Sequence, residues 1–262
     1  DPEGKPLRVV IKRMKEANKL IEDFMLLANI RVARFLAKVH PEKNTPTRTS
    51  LYRIHDKPDP QKLSSLRTFV GRLGHEMPKP NPGNAESLIR DLLVATEGTP
   101  EEGTVKTMAI RSMAKAEYST SNIGHYGLSF PYYTHFTSPI RRYPDVLVHR
   151  LLQSYLDGVT DANQSELDSR CNHSGTMEKR AADAERASIK YKQVEFLMTR
   201  IGETFQGIVS GGVPRGLFVE IKENKCEGFV SKDHLPNDHW VYDEDRIGFE
   251  GMRSGELIAL GD

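Results

Sequence analysis

The sequence GHYGLSFPYYTHFTSPIRRYPDVLVHR, residues 124–150, interrupts a largely helical pattern and carries the densest chemistry in the chain. Its first carboxylate is Asp145. Arg141 and Arg142 each present a fork of N–H donors that matches a phosphate and stays charged at any relevant pH. Hydroxyls and backbone N–H groups at a helix start can hold another phosphate, and aromatic rings can stack on bases. The stretch predicts a site for single-stranded nucleic acid, with a loop of solvated arginines and core aromatics as an equal alternative.

Hydrophobic residues recur at helical spacing on both sides of this stretch. We predict helices at residues 15–39, 60–73, 84–95 and 103–118 before it, and at residues 144–157 and 165–200 after it. Two shorter segments contain β-branched residues close to glycine or proline, a composition typical of strand ends and turns. They predict a strand at residues 5–12 and a strand or turn at residues 51–60.

After residue 200 the hydrophobic period changes from that of a helix to that of a strand. The segments ETFQGIVSG, GLFVEI and CEGFVSKDHL predict three strands of a small antiparallel barrel, with glycines at the turns and bulges. We therefore place a domain boundary near Arg200, which separates residues 1–200 from residues 201–262. A helix-rich part followed by antiparallel strands predicts an α+β protein.

The composition of the 262 residues places few limits on the partner. Lys and Arg total 37 and Asp and Glu total 36, so bulk charge neither favours nor excludes a polyanion. No apolar run approaches the roughly 18 residues that a membrane span needs, and we therefore predict no membrane partner. Cys171 and Cys226 are too far apart in sequence to suggest a metal-ligand or redox pair, which favours a reduced, cytoplasmic setting.

Several segments together resemble the ribonuclease II and ribonuclease R family. The residues 125–152, HYGLSFPYYTHFTSPIRRYPDVLVHRLL, look like the signature stretch of that family. KLIEDFMLLAN, LYRIHDKPDP and MAIRSMAKAEYS look like successive segments of its catalytic domain, in the same order. Residues 202–235 resemble the S1-type OB-fold that follows this domain. The resemblance covers essentially the whole chain and is closer to ribonuclease R than to ribonuclease II.

This resemblance implies a fold and an activity. Residues 1–200 would be the helix-rich C-terminal part of an RNB-type catalytic domain, and residues 201–262 a truncated S1-like OB-fold that binds RNA. The full-length parent would be a processive 3′→5′ exoribonuclease that hydrolyses single-stranded RNA to nucleoside 5′-monophosphates. It would use a divalent metal, usually Mg²⁺, and no small-molecule cofactor. The oligomeric state stays open.

The resemblance also assigns roles to individual residues. Arg141 would contact the scissile phosphate and offset the charge that develops on it. A glutamate of the long C-terminal helix would support the site, with Glu185 favoured and Glu178 as the fallback. Glu22 would face the sugar of the 3′-terminal nucleotide. Further candidates for RNA contacts are His125, Tyr126, Tyr133, Thr137, Ser138 and Arg142 along the RNA path, and Phe218 as a stacking platform in the barrel.

The sequence departs from the family in its metal ligands. The metal-binding aspartates of the family form an Asp-rich motif early in the catalytic domain, and no such motif occurs here. We therefore expect a C-terminal fragment that holds no metal and is inactive alone. We also expect its incomplete OB-fold to be frayed at the end or paired with another molecule, because absent strands leave unpaired edges. The alternative function is a non-catalytic RNA-binding module.

Overall fold

The computed structural model describes residues 1–10, 14–38, 48–81, 84–99, 102–159, 162–244 and 246–262. The chain divides into two compact units, each assembled from segments that are distant in sequence. The first unit comprises Arg13–Lys57 and Ala114–Arg186 and contains the stretch at residues 124–150. The second unit comprises Asp1–Lys12, Pro58–Met113 and Ala187–Asp262.

Helices account for much of the chain, as the hydrophobic periodicity predicts. The described residues form the α-helices α1 (Glu16–Ala37), α2 (Pro60–Arg72), α3 (Ala85–Ala95), α4 (Glu102–Ser112), α5 (Tyr143–Leu156) and α6 (Gln164–Met198). α2 begins at a proline, and the Asp59 carboxylate caps it by accepting the backbone N–H of Gln61 at 2.7 Å. The six predicted helices are confirmed, although one ends earlier than expected.

The strands form three small antiparallel sheets within the described ranges. They are β1 (Tyr52–His55), β2 (Ala116–Ser119), β3 (Gly207–Val213), β4 (Gly216–Ile221), β5 (Glu227–Ser231), β6 (Trp240–Asp243), β7 (Gly248–Gly251) and β8 (Leu257–Ile258). β1 pairs with β2, β4 lies between β3 and β5, and β7 lies between β6 and β8. The mixture of helices and separate antiparallel sheets confirms the predicted α+β fold.

The core of the first unit packs helices α1, α5 and α6 against the β1–β2 sheet. Leu36, Leu147 and Val148 are almost fully buried in one cluster. Tyr52 and Tyr132 pack with alanines of α1 in a neighbouring cluster. This packing holds the stretch at Tyr132 and at α5, on either side of the loop that joins them.

The second unit contains two hydrophobic cores. Helices α2, α3 and α4 share one core around Leu66, Val70 and Val105. The two three-stranded sheets of the C-terminal segment share another, centred on Leu217 and Phe249. Each core buries side chains that the sequence pattern places on inward faces.

Two local expectations are corrected by the structure. The helix expected at residues 103–118 ends at Ser112, and residues 116–119 form β2 instead. The strand expected at residues 5–12 is absent over its described part, where Leu7 and Val10 are 75% and 69% exposed. Residues 11 and 12 lie outside the described ranges.

The expected fraying of the C-terminal segment is also wrong. Residues after 239 form β6, β7 and β8, whose side chains complete a buried core. The end of the chain pairs with β3, since Val209 N–H donates to the Asp262 carbonyl and Gly261 N–H donates to the Val209 carbonyl, both at 2.9 Å. Pairing along the outside of β3 satisfies backbone groups that an open edge would leave exposed.

None of the helices in the described ranges combines the length and the apolar character that crossing a membrane would require.

Candidate functional site

A cavity of about 1010 Å³ lies in the first unit, between the start of α5 and the middle of α6. The turn before α5 contributes Arg141 and Arg142, and β2 contributes Tyr118. α6 contributes Arg170, Glu178 and Glu185, among others. Arginines and carboxylates therefore face the same space, which is large enough for part of a nucleotide chain.

A tight turn at residues 138–142 shapes one wall of this cavity. The backbone N–H groups of Arg141 and Arg142 both donate to the Ser138 carbonyl, at 3.2 and 3.0 Å. Oδ2 of Asp145 accepts from Ser138 N–H at 2.7 Å and from Arg142 Nη2 at 2.8 Å. Asp145 is fully buried in the first turn of α5, where the helix dipole favours a negative charge. Arg142 is thus bound to the protein, while the turn presents Arg141 outward.

Arg141 is exposed and has no hydrogen-bond or ion-pair partner among the residues that the structure describes. Its neighbour Ile140 is 98% exposed, so nothing in the described structure covers the tip of the turn. A guanidinium carries five N–H donors and remains charged in proteins. All five donors of Arg141 are therefore available to an anion entering the cavity.

The two candidate glutamates of α6 differ in their contacts. Glu178 accepts two hydrogen bonds from Arg53, Nη1 to Oε2 at 2.8 Å and Nη2 to Oε1 at 3.0 Å. Glu185 lies two turns further along the same helix and is exposed, with no partner within the described ranges. Residues seven positions apart share a face of a helix, which explains why both carboxylates reach the cavity. Glu185 is the one with a free carboxylate.

Histidines and aromatic rings form a packed cluster beside the β1–β2 sheet. His55 accepts Gly127 N–H at Nδ1 (2.8 Å) and donates from Nε2 to the Ala114 carbonyl (2.9 Å). Its ring stacks on that of His125 with a centroid distance of 5.1 Å. Burial, and then the neighbouring His55, lower the pKa of His125 to about 4. This part of the stretch is therefore uncharged at neutral pH.

A second pair extends the cluster to the cavity wall. The hydroxyl of Tyr118 lies 2.8 Å from Nδ1 of His135. Burial raises the pKa of Tyr118 to about 12, and burial followed by the Arg142 charge lowers the pKa of His135 to about 3. The tyrosine hydroxyl is thus protonated at neutral pH and donates to a neutral imidazole.

Helix α1 fixes the loop that leads to the turn. Asn29, 3% exposed, donates from Nδ2 to the Tyr133 hydroxyl at 3.1 Å and accepts Phe136 N–H at 3.0 Å. A buried amide that satisfies both a side chain and a backbone group holds the two together. The turn at residues 138–142 is therefore anchored to a helix on one side and to Asp145 on the other.

The cavity brings together only some of the residues that the sequence singled out. Arg141, Arg142 and Glu185 line it, together with the fallback Glu178. The described lining residues do not include Glu22, His125, Tyr126, Tyr133, Thr137 or Ser138. Tyr133 is 6% exposed and supports the aromatic cluster, and Glu22 is exposed on α1.

Sequence reasoning missed Arg53 and Arg170. Arg53 lies on β1, and Arg170 lies on α6 with Nη1 donating to the Tyr143 hydroxyl at 2.8 Å and Nη2 bound to Glu166. Arg53 lies in the family-like segment LYRIHDKPDP, but nothing in that segment or in the sequence around Arg170 marks either residue for this cavity. Their roles come from contacts between segments that are far apart in sequence.

The second unit carries the remaining candidate, Phe218. This residue lies on β4 and is partly exposed, directly opposite Phe229 of β5. The two rings are tilted with centroids 5.2 Å apart, and Phe229 is 50% exposed. Gly211 pairs with Phe218 from the other side, so no side chain covers the ring from that strand. The sheet thus presents an aromatic pair of the kind that stacks on bases.

The described residues do not fit a divalent metal. No group of three or more His, Cys, Asp or Glu side chains within these ranges is placed to hold an ion. Mg²⁺ sites in proteins rely on carboxylates and other oxygen ligands around the ion. The carboxylates of the cavity, Glu178 and Glu185, do not meet that requirement between them.

The chain matches two known domain families. Residues 1–158 match the RNB domain, and residues 199–250 match the S1 RNA binding domain. The chain is 38% identical to Ribonuclease R of Aquifex aeolicus (strain VF5) and 37% identical to Ribonuclease R of Thermotoga maritima, in both cases over 100% of its length. It spans only 36% and 37% of the lengths of these relatives.

A solved structure has the same fold over the whole chain. Mycoplasma genitalium RNase R in complex with ribose methylated single-stranded RNA superposes with a TM-score of 0.88 at 28% identity. The likeness covers 100% of this chain and 41% of that chain.

Proposed function

Since this chain belongs to the RNB domain family, we propose that the whole protein is a processive 3′→5′ exoribonuclease. It hydrolyses single-stranded RNA from the 3′ end, releases nucleoside 5′-monophosphates and works in the cytoplasm. The family matches confirm the resemblance drawn from the sequence, and relatives named Ribonuclease R support the choice of reaction.

The observation that carries this proposal is the free guanidinium of Arg141. It faces a cavity large enough for a nucleotide and shares that cavity with the free carboxylate of Glu185. A guanidinium at the phosphate can offset the charge that develops as a phosphodiester is cleaved. We assign Arg141 to the scissile phosphate and Glu185 to the support of the site. Arg142 contributes mainly by holding the turn through Asp145.

The remaining residues suit the path of the RNA strand. We propose that Glu22 binds the terminal ribose, and that His125, Tyr126, Tyr133, Thr137 and Ser138 shape the route to Arg141. Phe218 stacks on a base in the S1 segment, residues 201–262, while residues 1–200 belong to the catalytic domain. The exposed aromatic pair on β4 and β5 supports this assignment for Phe218.

The family resemblance implies Mg²⁺ for the whole protein. Because the described residues do not fit such an ion, we propose that these 262 residues bind single-stranded RNA but do not hydrolyse it alone. The test is a 5′-labelled RNA incubated with this chain and Mg²⁺. Unchanged RNA with a measurable affinity is expected, and stepwise shortening from the 3′ end would contradict the proposal.

The activity itself is tested in the whole protein with the Arg141→Ala substitution. Loss of a group that acts on transition-state charge lowers turnover by about 10²-fold or more. RNA affinity should fall far less, by about tenfold, since one phosphate contact is lost. Single-turnover rates and fluorescence anisotropy measure the two effects.

Arg90→Ala is the matched control, because Arg90 is exposed, forms an ion pair with its neighbour Asp91 and is not among the described residues that line the cavity. It should change neither rate nor affinity by more than about twofold. A whole protein that binds RNA without shortening it would favour the alternative, a non-catalytic RNA-binding module.

A further inference from the structure

The cavity wall carries carboxylates as well as arginines. Two of its arginines are already bound to carboxylates, Arg142 to Asp145 and Arg170 to Glu166. The wall also carries the carboxylates of Glu178 and Glu185. Unpaired carboxylates repel a phosphodiester, and they compete for the same guanidinium. An unneutralised Glu178 would add its charge to that of Glu185 on the same wall, so a group that offsets Glu178 strengthens the binding of a phosphate at Arg141.

Arg53 supplies that offset. Its two terminal nitrogens donate to the two oxygens of Glu178 at 2.8 and 3.0 Å, the parallel arrangement in which guanidinium and carboxylate bind most strongly. The Arg53 side chain is 13% exposed, whereas that of Glu178 is 44% exposed. The arginine thus comes from the protein side, and the carboxylate is the partner that faces the cavity.

The position of Arg53 is itself fixed by the sheet. The β1–β2 register places Arg53 directly opposite Tyr118, and its guanidinium lies 4.5 Å from the centre of the Tyr118 ring. The backbone N–H of Arg53 donates to the Tyr133 carbonyl at 2.9 Å. A guanidinium that stacks on an aromatic ring and also forms two hydrogen bonds to one carboxylate has little freedom to leave its partner.

We propose that Arg53 is a positioning residue of the RNA site, which neutralises Glu178 so that Arg141 stays available to the phosphate. This inference rests on the proposed function of Arg141. Arg53 does not touch the RNA; it acts through Glu178. Removing Arg53 therefore exposes a negative charge on the cavity wall, and removing Glu178 as well takes that charge away.

The experiment compares Arg53→Met, Glu178→Gln and the double variant in this chain. Affinity for a 5′-fluorescein-labelled single-stranded RNA is measured by anisotropy at 0.1 M salt. Arg53→Met should bind about tenfold more weakly, an effect of one uncompensated charge. Glu178→Gln should bind at least as tightly as the unmodified chain. The affinity of the double variant should return to within about threefold of that of the unmodified chain, because the repelling charge is gone.

Two additions separate this role from a structural one. At 0.5 M salt the defect of Arg53→Met should shrink to about threefold or less relative to the unmodified chain under the same conditions, since exposed charges are screened. Arg53→Lys keeps the charge without the fork and should be intermediate, which provides a readout if Arg53→Met does not fold. Arg90→Met is the control for the loss of one positive charge.

The possible results each decide the matter. The inference is overturned if the double variant binds RNA as weakly as Arg53→Met, or if Arg53→Met binds RNA with normal affinity. In either case the assignment of Arg141 to a phosphate still stands, provided that Arg141→Ala binds RNA more weakly than the unmodified chain. If Arg141→Ala binds as well as the unmodified chain, Arg141 does not hold a phosphate in this cavity and the inference falls with that assignment, whereas the proposed activity stands or fails on the turnover of the whole protein.

Discussion

The two glutamates of α6 differ at the level of single contacts, and this difference predicts different effects on activity. Glu185 is free in the cavity, whereas Glu178 is occupied by Arg53. In the whole protein, Glu185→Gln should lower single-turnover cleavage by at least about tenfold, as expected for a group beside the reacting phosphate. Glu178→Gln should change the rate by less than about twofold, because its charge is already offset.

Glu166→Gln provides the control for this comparison. Glu166 lies on the same helix and is bound to Arg170, as Glu178 is bound to Arg53. Its removal should leave the rate within about twofold of the unmodified protein. If Glu178→Gln proves slower than Glu185→Gln, the fallback residue is the functional one and the assignment from contacts is wrong.

At this scale the sequence predicts some of the site and misses the rest for a physical reason. The family resemblance selects Arg141 and Glu185, and the structure places both at one cavity. The Arg53–Glu178 pair joins residues 125 positions apart. No local period or propensity encodes such a contact, so it becomes visible only when β1 and α6 are packed.

At the scale of an element, the turn at residues 138–142 depends on one buried carboxylate. Asp145 accepts from Ser138 N–H and from Arg142, and it is fully buried. Asp145→Ala should destabilise the chain by about 3 kcal/mol, because removing one partner leaves the other charge uncompensated. For a chain of this length, that loss of stability corresponds to a decrease of roughly 9 °C in the melting temperature, which circular dichroism measures.

Asp145→Asn and Asp183→Ala are the two comparison variants for this prediction. Asn retains an oxygen that can accept from Ser138 N–H, so Asp145→Asn should lose less stability than Asp145→Ala. Asp183 pairs with Arg186 on the surface at 3.4 Å, and its removal should lower stability by about 0.5 kcal/mol or less. Equal melting temperatures for Asp145→Ala and the unmodified chain would show that the turn does not rely on this carboxylate.

The elements themselves show where sequence periodicity succeeds. Helices α1, α2 and α5 lie within a few residues of the predicted ranges. α2 and α5 each bury a stripe of apolar side chains at helical spacing, whereas α1 buries residues of its C-terminal part and leaves Leu20 and Phe24 exposed. The sequence pattern instead predicts that residues 116–119, which form β2, continue helix α4. The conformation of β2 comes from pairing with β1, where Tyr52 lies opposite Ser119, and a partner this distant overrides local preference.

At the scale of the whole molecule, the predicted boundary near Arg200 divides the chain linearly, whereas the compact units combine distant segments. The boundary stays a prediction. Periodicity reports only where one kind of element gives way to another, here α6 to β3. Which segments share a core depends on contacts such as those of α2 with α4, which local sequence does not reveal.

The stability of the whole chain should depend on pH through two partly buried histidines, His125 and His135. The pKa values of His125 and His135 are lowered to about 4 and about 3, whereas unfolded histidine has its ordinary pKa of about 6.5. Between these values the unfolded chain binds protons that the folded chain does not, so stability falls as the pH falls below about 6.5. From pH 7 to pH 5 we expect a loss of about 2 kcal/mol, discounted for the partial exposure of His125.

The corresponding decrease in melting temperature is roughly 5 °C, measured by circular dichroism at constant ionic strength. His135→Asn should remove more than half of it, since the discount applies to His125; the amide oxygen can still accept from the Tyr118 hydroxyl but cannot titrate in this range. His234→Asn is the control for the loss of one imidazole, since His234 is exposed and lies outside this cluster. Most carboxylates stay ionised above pH 5, so the loss of stability between pH 7 and pH 5 comes mainly from histidine. An unchanged melting temperature between pH 7 and pH 5 would show that the cluster accepts protons without loss of packing.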